Sequence, residues 1–72
     1  MISKKIGLKI KFERQKRGFS QEDLAFEAGL SRNSVWKIET NQVSPTIATL
    51  EKIAKALGMD FAELLDVSKV DL

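Results

Sequence analysis

The chain lacks two residue types on which much protein chemistry depends, because its 72 residues include no cysteine and no histidine. Their absence excludes disulfides, thiol nucleophiles, imidazole bases and the usual zinc ligands. We therefore expect no cofactor, no metal and no enzymatic activity. The candidate acid–base pair, Glu22 and Asp23, falls at a predicted helix start, where helix capping explains it.

Long apolar runs are also missing. No stretch of the chain approaches the roughly 20 apolar residues that a membrane-spanning helix needs. The first ten residues carry lysines without the apolar block of a signal peptide. We expect a cytoplasmic protein with no membrane partner and no small-molecule ligand. We expect a single domain over residues 1–72, which buries only about 60% of the surface of its unfolded form, so dimerisation would add stability.

Charge is distributed unevenly, although the net charge is only +2. Residues 1–19 hold seven basic side chains against one acid, Glu13, whereas residues 58–72 hold four acids against one lysine, Lys69. The first of these segments is therefore suited to anions such as phosphate. The alternative is a solvated lysine face that maintains solubility.

Helical periodicity and capping residues predict five helices and no strand. The first begins at Ser3 and ends near Arg17, the fourth begins at Thr46 and ends before Gly58, and a short fifth follows Asp60. In the fourth helix, apolar residues recur at helical spacing and are expected to face the core: Ile47, Leu50, Ile53, Ala54 and Leu57. The predicted fold class is all-α.

The segment 20–39 contains two short helical patterns joined by a very short connection. Ser20 is placed to cap the first of these helices, Gly29 to end it in a left-handed conformation, and Ser31 to cap the second only two residues later. The inward residues of the second helix are Val35 and Ile38. A corner this tight presents the outer face of the second helix to solvent.

Counted from Gln21, the small and apolar residues of this segment have the spacing of the DNA-binding helix-turn-helix. They are Leu24, Ala25, Ala28, Gly29, Leu30, Val35 and Ile38. The stretches "IGLKIKFERQKRGFSQEDLA", "SPTIATLEKIAKALG" and "MDFAELL" resemble successive parts of the Cro and phage-repressor (Xre) helix-turn-helix family, over residues 6–66. The resemblance implies a compact five-helix bundle of the lambda-repressor-like DNA-binding type, with the helix-turn-helix at about 21–39.

The resemblance also implies a set of DNA contacts. Contacts to bases are expected from the recognition helix, residues 31–39, through Arg32, Asn33, Ser34, Trp36 and Lys37. Arginine can bond bidentately to guanine, and asparagine to adenine. Contacts to phosphates are expected from Gln21, Ser31, Thr40, Asn41 and Gln42. Without the family, Arg32 and Asn33 would be interpreted as solvated residues of a helix start, and Gln21 as an ordinary first-turn residue.

An ion pair between the first and third helices is implied as well. In some relatives, the positions that match Arg14 and Glu39 form a partly buried pair, and we expect the same pair here. Its role would be structural, because losing one partner leaves a poorly compensated charge. Glu13 departs from the family pattern, since many relatives have an apolar residue at this position.

Three aromatic residues leave alternatives open. Trp36 lies on the face opposite the inward residues, and it either contacts DNA or packs over Phe26 or the following loop. Phe12 and Phe26 stand at positions that are more often polar in the family. They either form a small outer cluster or contact a partner.

A homodimer is the next expectation. One recognition helix reads only a few base pairs, so affinity and specificity gain when two helices are held about 34 Å apart on one face of DNA. We expect the interface in the apolar C-terminal segment 61–72, through Phe61, Leu64, Leu65 and Val67. The alternative is that this segment folds back over Leu8 and Phe12 within one chain.

The sequence thus predicts a transcription regulator that binds double-stranded DNA sequence-specifically, as a homodimer on an inverted-repeat operator. We expect it in the cytoplasm, associated with the nucleoid. Within the family, the stretch "SQEDLAFEAGLSR" looks most like restriction-modification controller proteins. The alternative is a protein-binding module, such as an antitoxin or a bridging cofactor, that reuses the same fold and holds its partner through exposed aromatic residues.

Overall fold

The computed structural model describes residues 3–68 and 70, and for residues 3 and 4 it describes the backbone alone. The Lys4 side chain, Lys69 and the end of the predicted interface segment, residues 71 and 72, therefore lie outside the description. Five helices occur in the described part: α1 (Ser3–Lys16), α2 (Gln21–Ala28), α3 (Arg32–Glu39), α4 (Ile47–Leu57) and α5 (Phe61–Leu65). The all-α, five-helix prediction is confirmed. Within residues 3–68 and 70, no helix has the length and apolar character needed to cross a membrane.

Local capping sets the bounds of the helices. The Ser20 hydroxyl accepts a hydrogen bond from the backbone N–H of Asp23 at 3.0 Å, and the Asp23 carboxylate accepts one from the N–H of Ser20 at 2.9 Å. This reciprocal arrangement satisfies two N–H groups at the start of α2. Gly29 and Gly58 end α2 and α4 with φ of 68°, the left-handed conformation that glycine adopts most readily. α1 ends at Lys16, close to its predicted end.

All five helices contribute to one apolar core. The largest fully buried side chains are Ile6, Ile10, Leu24, Val35, Ile53 and Leu64. Val35 and Ile38 face inward from α3, as predicted. The prediction is wrong for Ile47, which is 67% exposed. Helical spacing shows which face of α4 is inward, but it does not show where along the helix burial begins. The first buried residue of α4 is Leu50, about one turn after Ile47.

At Gly7, α1 passes close to the end of α3. A Cβ atom at this position would lie 2.6 Å from the carbonyl oxygen of Ile38 and 3.2 Å from that of Glu39. The first distance is too short for two packed atoms, so the crossing requires glycine. The neighbouring residue Asn41 has a positive φ of 62°, which asparagine tolerates. This close approach holds α3 against α1, and nothing in the local sequence pattern indicates this role of Gly7.

The C-terminal segment packs against its own chain. Leu64 is fully buried, so the expectation that its side chain contacts a partner is wrong. The reason is that α5 is a single short turn whose inner side carries Leu64 into the core. Phe61, Leu65 and Val67 are half-buried and pack against that core. Val70 lines a depression together with Phe12, as in the alternative in which the segment folds back within one chain.

Candidate nucleic-acid interface

The corner between α2 and α3 is held by backbone hydrogen bonds and a side-chain cap. The N–H of Leu30 donates to the carbonyl oxygen of Ala25 at 2.8 Å, and the half-buried Leu30 side chain packs against the core. The Ser31 hydroxyl then accepts a hydrogen bond from the N–H of Ser34 at 3.0 Å and starts α3. As a result, the outer face of α3 is turned towards solvent.

The outer face of α3 brings several of the predicted contact residues together. Arg32, Asn33 and Trp36 line one shallow depression of about 410 Å³ with Gln21, the first residue of α2. Trp36 is 46% exposed. Ser34 is only half-buried, and its hydroxyl accepts a hydrogen bond from the Ser31 hydroxyl at 2.9 Å. Four predicted contact residues from two helices therefore surround one surface.

The charges around α3 favour an anion on this surface. α3 has no acidic residue in its first turn, so no side chain there offsets the positive end of the helix dipole. Its outer face carries the exposed cations Arg32 and Lys37. The one acid of this helix, Glu39, is buried. The outer face therefore presents positive charge to solvent.

Glu39 lies in an ion pair beneath this surface. The Arg14 guanidinium donates two hydrogen bonds to its carboxylate, at 2.7 Å from Nε and 3.0 Å from Nη2. A third donor of Arg14, Nη1, is 2.8 Å from the carbonyl oxygen of Phe19. The Gln21 amide also donates to Glu39, at 3.2 Å. The pair is more fully buried than the resemblance implied, and it joins α1, α2 and α3.

Comparison with known proteins identifies the fold. A model of the helix-turn-helix family HTH_3 matches residues 10–69. The chain belongs to this helix-turn-helix family. It is 44% identical over 52 residues to the HTH-type transcriptional regulator SutR of Escherichia coli, covering 72% of this chain and 29% of SutR. It is 40% identical over 55 residues to the control protein C.BamHI of Bacillus amyloliquefaciens, covering 76% of this chain and 68% of that protein.

Among solved structures, the helix-turn-helix chain is similar to the restriction-modification controller protein C.AhdI of Aeromonas hydrophila. The two share 36% identity and a TM-score of 0.82, over 85% of this chain and 92% of the other. By contrast, the chain spans well under two thirds of most curated relatives that it matches, from 27% to 58% of their length. The predicted family is confirmed.

The predicted phosphate contacts of the helix-turn-helix lie at both ends of α3. Ser31 lies at its start, where its hydroxyl is already engaged as a cap, and Gln21 lies beside the helix, near Arg32 and hydrogen-bonded to Glu39 of the last turn. Thr40, Asn41 and Gln42 are exposed in the loop after its end. The Thr40 hydroxyl donates to the carbonyl oxygen of Trp36 at 2.7 Å, and the Gln42 amide donates to that of Thr40 at 3.4 Å. Candidate backbone contacts therefore flank the candidate base contacts.

Some of the cations of the basic segment 1–19 are engaged in ion pairs within the chain. Four of its seven cations pair with acids of the same chain: Arg14 with Glu39, and Lys9, Lys16 and Arg17 with Glu13. The hydrogen bond from Arg17 at 2.6 Å, with the help of two lysines, lowers the pKa of Glu13 although burial opposes this effect. The two carboxylates, of Glu13 and Glu39, neutralise two of the seven positive charges of this segment.

The exposed aromatic residues do not share one surface. Phe12 lines a depression between α1 and α5, Phe26 lines one between α2 and α4, and Trp36 lines the depression at α3. Each of the three aromatic residues thus lines a different depression. Val43 and Ile47, beyond the end of α3, are further exposed apolar residues; no pattern pointed to Val43, and Ile47 was expected in the core.

Proposed function

We propose that this chain is a transcription regulator that binds double-stranded DNA sequence-specifically, with α3 in the major groove. The observation that carries the proposal is the solvent-facing surface at which Arg32, Asn33, Trp36 and Gln21 meet. A helix of eight residues fits the major groove when its outer face is free and its inner face is anchored. The regulators among the relatives support the same function.

Each side chain of this surface has a proposed role. Arg32 bonds bidentately to a guanine and Asn33 to an adenine, since their side chains match the edges of those bases. Trp36 contacts a thymine methyl group or a sugar, because a large apolar side chain on this surface needs an apolar partner. Lys37 adds attraction for the DNA backbone, since a flexible ammonium carries little geometric information. Ser34, with its hydroxyl held by Ser31, contributes less.

The regulator acts as a homodimer on an inverted-repeat operator, in the cytoplasm at the nucleoid. The short reach of one recognition helix supports two copies. The half-buried apolar residues Phe61, Leu65 and Val67 of each copy form the proposed interface. The likeness to C.AhdI, at 36% identity and a TM-score of 0.82, supports a regulator of the controller type.

Selection of bound sequences from a random DNA pool tests the proposal. The native chain should select an inverted repeat and bind it less tightly as salt rises, because phosphate contacts release counterions. Arg32→Ala should lose preference at one symmetric base pair, at a cost of about 1–3 kcal/mol. Lys52→Ala, which removes an exposed cation of α4 outside the α3 depression, should keep the native preference.

Two outcomes would contradict these assignments. Uniform weakening of Arg32→Ala across all sequences would make Arg32 a phosphate contact rather than a base contact. An absence of salt-dependent binding to any duplex would overturn the DNA-binding proposal and favour the protein-binding module instead.

A further inference from the structure

Gln21 connects the buried ion pair to the surface proposed to bind DNA. Its side-chain nitrogen lies 3.2 Å from Oε1 of Glu39, the same oxygen that accepts a hydrogen bond from Arg14 at 3.0 Å. The Glu39 side chain is only 1% exposed. The other side of Gln21 lines the depression that contains Arg32 and Trp36. Gln21 is therefore the side chain through which the buried pair reaches this depression.

The chemistry of the pair determines how the Gln21 amide is oriented. A carboxylate paired with a guanidinium only accepts hydrogen bonds, so the amide nitrogen, and not the amide oxygen, must face Glu39. That nitrogen carries two hydrogens, and Glu39 uses one of them. The second hydrogen remains a donor. A DNA phosphate also only accepts hydrogen bonds, so it needs the nitrogen and would be repelled by the oxygen.

We propose that Glu39 is a positioning residue for DNA binding, which holds the Gln21 amide so that its nitrogen bridges the buried carboxylate and a DNA phosphate. The inference rests on the proposed DNA-binding function. The negative charge of Glu39 does not repel the phosphate, because two hydrogen bonds from Arg14 neutralise it. Without Glu39, the Gln21 amide is free to rotate by half a turn and present its oxygen to DNA.

The chain offers a matched control in its second buried acid. Glu13 is also paired with an arginine, at 2.6 Å, and its side chain is 8% exposed. Its partners Lys9, Lys16 and Arg17 line a different depression from the one that contains Gln21. The substitution Glu13→Gln therefore makes the same chemical change as Glu39→Gln without touching Gln21.

A double-mutant cycle tests the coupling between Glu39 and Gln21. Binding to the selected operator duplex and to an unrelated duplex is measured for Glu39→Gln, Gln21→Ala, both together, and Glu13→Gln, each corrected for its folded fraction. A hydrogen bond to a charged group predicts that Glu39→Gln and Gln21→Ala each weaken binding to both duplexes about tenfold. The double variant should bind no more weakly than Gln21→Ala alone. Glu13→Gln should stay within about twofold of the native chain, since distant sites act independently.

Three results would overturn the inference. If the two effects multiply in the double variant, Glu39 does not act through Gln21, although DNA binding itself stands. Equal weakening by Glu13→Gln would likewise reduce the role of Glu39 to general stability. If the native chain shows no salt-dependent binding to any duplex, the proposed function and this inference fail together.

A measurement on the native chain covers the case in which Glu39→Gln does not fold. Nitrogen-15 relaxation of the Gln21 side-chain NH₂ group should show motion as restricted as that of the backbone, with an order parameter of about 0.85. Both amide protons should shift when the operator duplex is added. A freely rotating Gln21 amide in the native chain would contradict the proposal directly.

Discussion

Two buried acids of this chain, Glu13 and Glu39, have the same chemistry and different roles. Both are paired with an arginine, at 2.6 Å and 2.7 Å. The partners of Glu39 stand 25 and 18 positions away in the sequence and come from two other helices. The ion-pair partners of Glu13 all stand within four positions on or just after α1. Glu39 therefore joins three helices directly, whereas Glu13 is linked to another helix through Arg17, whose Nε donates to the carbonyl oxygen of Leu57 in α4 at 2.7 Å.

The ion pairs of the two acids also differ in how far solvent reaches them. The Arg14 and Glu39 side chains are 9% and 1% exposed, so their interaction is hardly screened. Around Glu13, the cations Lys16 and Arg17 are 69% and 30% exposed and remain solvated when the pair is broken. Removing one partner of a dry pair leaves a buried charge, and this costs far more than losing a screened attraction. The single arginine of the buried Arg14–Glu39 pair should therefore contribute more to stability than the three more exposed cations around Glu13.

The largest effect is expected from Arg14→Met, which leaves the Glu39 carboxylate buried without a cation. The free energy of unfolding should fall by about 3–5 kcal/mol. Arg17→Met should cost less, about 1–2 kcal/mol, because lysines and water still compensate Glu13; part of this cost is the loss of hydrogen bonds from Arg17 to the carbonyl oxygens of Leu57 and Glu13. Urea denaturation followed by circular dichroism measures both values.

A second substitution makes this test sharper. Adding Glu39→Leu to Arg14→Met removes the uncompensated charge, so the double variant should be more stable than Arg14→Met alone. If instead the double variant is less stable than Arg14→Met alone, the explanation by an uncompensated buried charge is wrong.

The next largest effect is expected from Gly7→Ala. Gly7 lies where α1 meets the end of α3, beside Glu39 and away from Glu13. Alanine is favoured over glycine inside a helix by about 1 kcal/mol, but its Cβ would approach a backbone carbonyl that cannot move alone. We expect a net loss of about 1–3 kcal/mol in the free energy of unfolding, measured by denaturation. Gln15→Ala, at an exposed site of the same helix, is the control. A gain in stability for Gly7→Ala would show that the crossing has room.

The sequence predicted the helices well because their ends depend on neighbouring residues. Ser20 and Gly29 act through backbone groups within four positions, so their roles follow from the local pattern. Ile47 was wrongly assigned to the core, because the point at which the core ends along α4 depends on the other helices. Gly7 was missed for the same reason, since the carbonyl groups that it meets stand more than 30 positions away.

The candidate site was predictable in part. The inward residues Val35 and Ile38 determine which side of α3 faces solvent, so its outer face follows from spacing alone. The hydrogen bond between Gln21 and Glu39 does not follow from spacing, because it depends on how α2 and α3 pack against each other. A count of charges in segment 1–19 does not show which of its cations pair with acids of the same chain. The four-position spacing of Lys9, Glu13 and Arg17 was a usable signal of that pairing.

A smaller effect with a definite pH dependence is expected from Glu13→Gln. Arg17 lowers the pKa of Glu13 in the folded chain, so the charged carboxylate stabilises the fold at neutral pH. This contribution is present above the ordinary pKa of about 4.3 and is lost as the pH falls through the lower pKa of the folded chain. Glu13→Gln should be about 1 kcal/mol less stable than the native chain at pH 7, and this difference should shrink below pH 4.

Unfolding free energies at several pH values check the size and direction of this change. Asp23, whose pKa is lowered by its hydrogen bonds with Ser20, titrates in both proteins and cancels in the comparison. A difference that stays constant with pH would mean that Glu13 acts through packing and not through charge.

The smallest effect is expected from Lys16→Ala, at the most exposed cation around Glu13. Its ammonium is 3.7 Å from the carboxylate and its side chain is 69% exposed, so solvent and salt screen the attraction. We expect a change of at most about 0.5 kcal/mol in the free energy of unfolding, which disappears in 1 M salt. Lys9→Ala, at a side chain only 16% exposed, should cost somewhat more at low salt. If Lys16→Ala instead costs as much stability as Arg14→Met, solvent exposure does not determine how strongly each ion pair stabilises the fold.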